Sequence, residues 1–94
     1  MAYSHRQNDA RVCGDLTKVT GQDFVFIEGQ LWAVQNDPVF AGGGALIPSK
    51  TFVKINGKPI IVVGDSAFPD VKCEDGGPHC SPTAIGYSNL VNVQ

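Results

Sequence analysis

No run of apolar residues in this 94-residue chain approaches the roughly 18 needed to cross a bilayer as a helix. The first ten residues are polar and lack the apolar stretch of a signal peptide, so synthesis in the cytosol without general secretory export is expected. Basic residues are few and scattered: seven Lys and Arg stand against nine Asp and Glu, for a net charge of -2. Phosphate backbones are gripped by clustered cations, so nucleic-acid binding is excluded as a working hypothesis. Helical periodicity is also missing. Eleven Gly and six Pro interrupt every candidate helix, and the short apolar runs are rich in Val, Ile and Phe. The three cysteines, Cys13, Cys73 and Cys80, are too few and odd in number for a secreted disulfide framework. Beside a histidine they read as metal ligands.

The chain does contain an internal repeat. Shifting it by 28 residues lays Asp9–Asp37 onto Asp37–Asp65 without a gap. Asp9, Gly14, Phe24, Val25, Ile27, Gly29, Val34 and Asp37 each meet an identical residue. Eight matches in 29 positions exceed the roughly two that ordinary composition supplies. Each unit reads as a loop, a strand, a two-residue turn and a return strand. The turns are Glu28-Gly29 and Asn56-Gly57, and Asn-Gly favours the type I′ hairpin because both central residues take positive φ. A third unit begins at Asp65 and carries a ten-residue insertion, after which Leu90, Val91 and Val93 fall on Phe24, Val25 and Ile27. Its return strand is supplied by the start of the chain, where Gln7-Asn8-Asp9 repeats as Gln35-Asn36-Asp37. Met1 and Gln94 therefore fall at one hairpin turn, cut at its tip. The expected fold is a single all-β domain over residues 1–94, a small cone or pyramid of three pseudo-threefold-related hairpins closed in a ring without a free edge.

The same register makes Cys13, Ala41 and His79 equivalent, and equivalent loops converge about a threefold axis. The insertion adds Cys73, which can fold back to the same point. Cys13, Cys73 and His79 are the expected core of a metal site at the vertex, and a structural zinc takes four N or S ligands. The fourth position falls to Cys80, to His5 or to a water. A Cys73–Cys80 disulfide is the competing use of those two thiols. A domain this small has little core at a sharp end, which is where a metal stabilises most. Two thiolates favour one zinc ion, with iron as the alternative.

The stretch "VKINGKPIIVVGD" (Val53–Asp65), its earlier copy "VFIEGQLWAVQND" (Val25–Asp37) and the final "IGYSNLVNV" (Ile85–Val93) resemble the PAAR-repeat proteins, and the resemblance covers nearly the whole chain. It implies a cone with a metal near the vertex held by His and Cys. The base of such a cone sits on a trimeric β-helical spike of a type VI secretion system or a contractile-tailed phage, one tip per trimer. It further implies a structural, non-enzymatic role at a virion tail baseplate or secretion spike, delivered outward, with only transient contact with the target-cell membrane. The namesake Pro-Ala-Ala-Arg is replaced by Pro59-Ile60-Ile61-Val62, and the vertex position of the middle unit is Ala41. The partner-binding base is expected to comprise Glu28, Gly29, Leu31, Trp32, Asn56, Gly57, Pro59 and Ile60. Two other readings stand beside it: a small zinc-binding β interaction module, and an enzyme pairing Cys13 or Cys80 with His79.

Overall fold

The computed structural model describes residues 2–74 and 77–93. Its regular structure is almost wholly β, in six short strands: β1 (Ala2–Ser4), β2 (Phe26–Ile27), β3 (Gln30–Leu31), β4 (Lys54–Ile55), β5 (Lys58–Pro59) and β6 (Ser88–Val93). Among the described residues the only helical element is a 3₁₀ turn, Pro78–Cys80. The strands form three antiparallel pairs, β1 with β6, β2 with β3 and β4 with β5.

Local sequence explains the two continuous hairpins. Glu28 and Gly29 take φ of 52° and 81°, and Asn56 and Gly57 take 55° and 78°, the paired left-handed conformation of a type I′ turn. Ile27 faces Gln30 in one hairpin and Ile55 faces Lys58 in the other. Pro59 lies opposite Lys54, and the ladder hydrogen bond beyond it comes from Ile60 N–H to Val53 O at 3.0 Å. The missing proline N–H therefore costs this hairpin nothing. The third pair joins the two ends of the sequence, Ala2 opposite Val93 and Tyr3 opposite Asn92, with a bulge between Tyr3 and Ser4. Met1 and Gln94 lie outside the described residues.

Asp9, Asp37 and Asp65 do the same work at each 28-residue step. Each carboxylate accepts a hydrogen bond from the backbone N–H three residues earlier, on Arg6, Val34 and Val62, at 2.9, 2.8 and 2.9 Å. The residue before each Asp has positive φ: Asn8 70°, Asn36 72° and Gly64 94°. Asn and Gly are the residues that enter this region most readily, so the turn is written into the sequence.

Between these turns the chain crosses itself in a closed cycle. His5 N–H donates to Ile61 O, Ile61 N–H to Ala33 O, and Ala33 N–H to His5 O, at 3.2, 2.9 and 2.9 Å. A second cycle has the same spacing: Gln7 N–H to Leu31 O, Gln35 N–H to Pro59 O, and Val63 N–H to Tyr3 O, at 2.8, 2.9 and 2.9 Å. Each segment satisfies its neighbour, so the backbone groups of these buried crossings are paired.

Apolar side chains pack on both sides of the crossings. One cluster holds Ile27, Trp32, Val34, Ile55, Ile60 and Val62; the other holds Val19, Ala33, Leu46, Ile61, Ala67 and Ala84. Three residues expected on the docking base are thereby placed inside. Trp32, Pro59 and Ile60 are buried in the chain's own core, and Trp32 Nε1 donates to Ile61 O at 2.9 Å. Leu31 is half-buried against the second cluster. Trp32 and Ile60 pack with Ile27 and Ile55 of the two hairpins in the first cluster. The apolar groups left outside near the turns are instead Phe24, Phe26 and Phe52, at 60%, 58% and 69% exposure.

Candidate metal centre

Cys13, Asp15, Asp70 and His79 each offer one ligand atom, and these atoms all lie within 4.8 Å of one another. A tight turn delivers the first two. Gly14, at φ 91°, donates from its N–H to Arg11 O at 2.8 Å, and Arg11 N–H donates to Asp15 O at 2.9 Å. Cys13 and Asp15 therefore emerge from one reversal of the chain. Asp70 comes from the segment that carries the insertion in the third unit, and His79 from the register position that follows it. Asp70 N–H donates to His79 O at 2.9 Å, which joins the two segments, and the 3₁₀ turn then presents the imidazole.

Asp70 is the buried member. Its Oδ2 lies 2.9 Å from His79 Nδ1 and 3.8 Å from Cys13 Sγ, while Oδ1 accepts Lys72 N–H at 2.8 Å. Burial alone would raise its pKa, but the His79 and Lys72 hydrogen bonds outweigh burial and hold the carboxyl below its ordinary value. Asp15 Oδ1 meets Lys72 Nζ at 3.0 Å, which holds that ammonium above its ordinary range. Asp15 Oδ2 is buried, lies 3.4 Å from His79 Nδ1, and lacks a hydrogen-bond partner among the described residues. A buried carboxylate oxygen without a donor is costly unless a cation meets it.

A thiol, an imidazole and two carboxylates are donors that first-row divalent cations accept, and four such atoms match the coordination number of zinc. The cluster can hold a metal ion.

Beneath it lies a buried polar chain. Arg11 is fully enclosed: Nε donates to Thr17 Oγ1 at 2.9 Å, Nη2 to Asp37 O at 3.0 Å, and Nη1 to Gly44 O. Burial pulls the guanidinium down to about 10, partly offset by the negative charge around Cys13 and Asp70. Gly86 O can only accept, so His5 Nδ1–H donates to it at 2.7 Å, and the neutral ring's Nε2 accepts at 2.7 Å from the Thr17 hydroxyl, whose oxygen in turn accepts from Arg11 Nε. His5 is a neutral, packed histidine, and burial lowers its pKa to about 4.

The structure brings together Cys13 and His79, as the repeat register predicts. It joins Cys73 and Cys80 to each other in a disulfide, with their Cα atoms 4.6 Å apart. In this form neither sulfur is available as a ligand. The reason is local: Cys73 N–H bonds Asp70 O, and Cys80 sits at the end of the 3₁₀ turn, so the two ends of the loop face each other. Ala41 is exposed and adds no donor, and His5 is engaged as described. Asp15 and Asp70 were missed by sequence reasoning. The Cys-Gly-Asp spacing was the available signal for Asp15, since a glycine reversal turns the flanking side chains the same way. Asp70 had no comparable signal, because its position depends on how the insertion folds.

No family model and no curated protein matches this chain.

Proposed function

We propose that the chain is a pseudo-threefold β cone whose vertex is fastened by a metal ion and whose base caps a trimeric β-helical spike of a contractile injection machine, in a phage tail or a type VI secretion system. The observation that carries this reading is the hydrogen-bond cycle through His5, Ala33 and Ile61, residues that are 28 apart in sequence. A monomer with three near-equivalent arms can meet three identical subunits with the same chemistry, which a single asymmetric face cannot. The exposed Phe24 and Phe52 are repeat equivalents and stand beside the Glu28-Gly29 and Asn56-Gly57 turns, where such a partner would bury them.

The metal, zinc on this reading, ties the Arg11–Asp15 turn to the insertion loop. That removes the freedom of a region with little apolar core, so the point keeps its shape under axial load. Contact with a target membrane is then mechanical and brief. The role asks for no bond-making chemistry.

The test is assembly. Co-expressed with a trimeric β-helical spike protein, the chain should co-purify at one copy per three spike subunits, and Phe24→Asp with Phe52→Asp should abolish the complex while leaving the fold intact. Binding to monomeric partners or peptides, without a trimer, would favour the small zinc-binding interaction module instead.

A further inference from the structure

We infer that the loop closed by Cys73 and Cys80 gives a cation two alternative donor sets sharing Cys13 and His79, and that reduction of the disulfide exchanges one set for the other. This rests on reading the Cys13–His79 cluster as a metal centre.

With the disulfide closed, the set is one thiol, one imidazole and the carboxylates of Asp15 and Asp70. A dithiol reductant supplies two electrons and two protons. The sulfur–sulfur bond breaks, two thiols form, and the reductant leaves as its own disulfide. The residues that carry the new thiols are both tied to members of the cluster. Cys80 is covalently next to His79 within the 3₁₀ turn, and Cys73 N–H is bonded to Asp70 O at 3.1 Å. Each is one peptide link or one hydrogen bond from a member of the cluster. On binding a cation the thiols release their protons to solvent, and Cys13, Cys73, Cys80 and His79 become a three-sulfur, one-nitrogen set.

One oxygen of each carboxylate is provided for in either state. Lys72 already reaches both groups, through Nζ to Asp15 Oδ1 at 3.0 Å and through its backbone N–H to Asp70 Oδ1 at 2.8 Å. When sulfur displaces the carboxylates, these two oxygens keep their partners. The closed form therefore offers two oxygen donors beside one nitrogen and one sulfur, and so accepts harder divalent ions, whereas the open form offers softer donors that favour zinc.

The full chain, oxidised or reduced with a phosphine, is titrated with Zn²⁺ against a chromophoric chelator and, separately, with Co²⁺. Zinc should bind both forms, more tightly in the reduced form by on the order of tenfold or more. The Co²⁺ sulfur-to-metal absorption should rise in proportion to the step from one thiolate to three. By linkage, each tenfold preference should make the disulfide easier to reduce in the presence of zinc by about 30 mV. A Cys73→Ser, Cys80→Ser double variant should bind as the oxidised form does and ignore the reductant. If that variant does not fold, alkylation of the wild type decides the matter, since zinc should protect all three thiols of the reduced chain. Equal affinity and a one-thiolate spectrum in both forms would overturn the exchange while leaving the metal centre standing. Failure of both forms to bind any zinc would overturn the centre itself.

Discussion

His79 Nδ1 stands between two carboxylates, 2.9 Å from Asp70 Oδ2 and 3.4 Å from Asp15 Oδ2. One imidazole nitrogen cannot donate fully to both, and Asp15 Oδ2 is the oxygen left without a hydrogen bond. A divalent cation resolves the conflict by meeting all three groups at once. His79→Ala and Asp70→Asn should therefore each weaken zinc binding by on the order of 100-fold, and Asp15→Asn by roughly tenfold, in competition titrations. Unchanged affinity in His79→Ala would show that the metal sits elsewhere.

His5 predicts an acid-sensitive stability. Its folded pKa of about 4 lies below the ordinary 6.5. Above pH 6.5 the ring is neutral in both states and contributes no pH dependence. As pH falls from 6.5 toward 4 the unfolded chain takes up a proton that the folded chain refuses, so stability declines by about 3 kcal/mol across that window and levels off below it. Asp37, held above its usual value by burial against its hydrogen bonds, acts with the opposite sign near the bottom of the range. Urea melts of wild type and His5→Gln between pH 7 and 4 separate the two, because only the wild type should show the His5 decline.

Asp37 should be the least replaceable of the three turn aspartates. Its carboxylate accepts from Val34 N–H at 2.8 Å and from Thr20 and Gly21 N–H at 2.9 Å each, while Thr20 Oγ1 adds a bond at 3.3 Å. Asp37→Ala strands these donors in a buried place and should cost about 3 kcal/mol or more, measured by denaturant titration. Asn at the same site, which keeps one acceptor, should recover part of the loss.

Two glycines should respond differently to the same methyl group. A Cβ on Gly86 would lie 2.6 Å from Ala10 N and 2.8 Å from Asp9 Cβ, so the backbone must move and Gly86→Ala should cost about 2–3 kcal/mol. Gly57 has open space around it and only its φ of 78° to lose, so Gly57→Ala should cost about 1–2 kcal/mol. Thermal melts of the two variants should rank them in that order.

Much of this architecture was legible because backbone conformation repeats with the residues that permit it. Asn8, Asn36, Asn56, Gly29 and Gly57 mark the positive-φ positions, and the aspartates mark the turns between them. The pairing of Ala2 with Val93 follows from the same register. The direction of side chains near the hairpin turns was not legible. Trp32 and Ile60 are apolar residues beside a turn, which a sequence places equally well on a docking face or in the core, and only the packing of the folded chain decides. Cys13 and His79 could be brought together by counting, since both lie in the repeat register. Asp70, Cys73 and Cys80 lie within or just beyond the insertion, where counting fails and only the folded loop says which sulfur meets which group.

The cycle through His5, Ala33 and Ile61 has neither a first nor a last member. Each crossing segment both gives a backbone hydrogen bond and receives one, so unfastening any one of them loosens all three together.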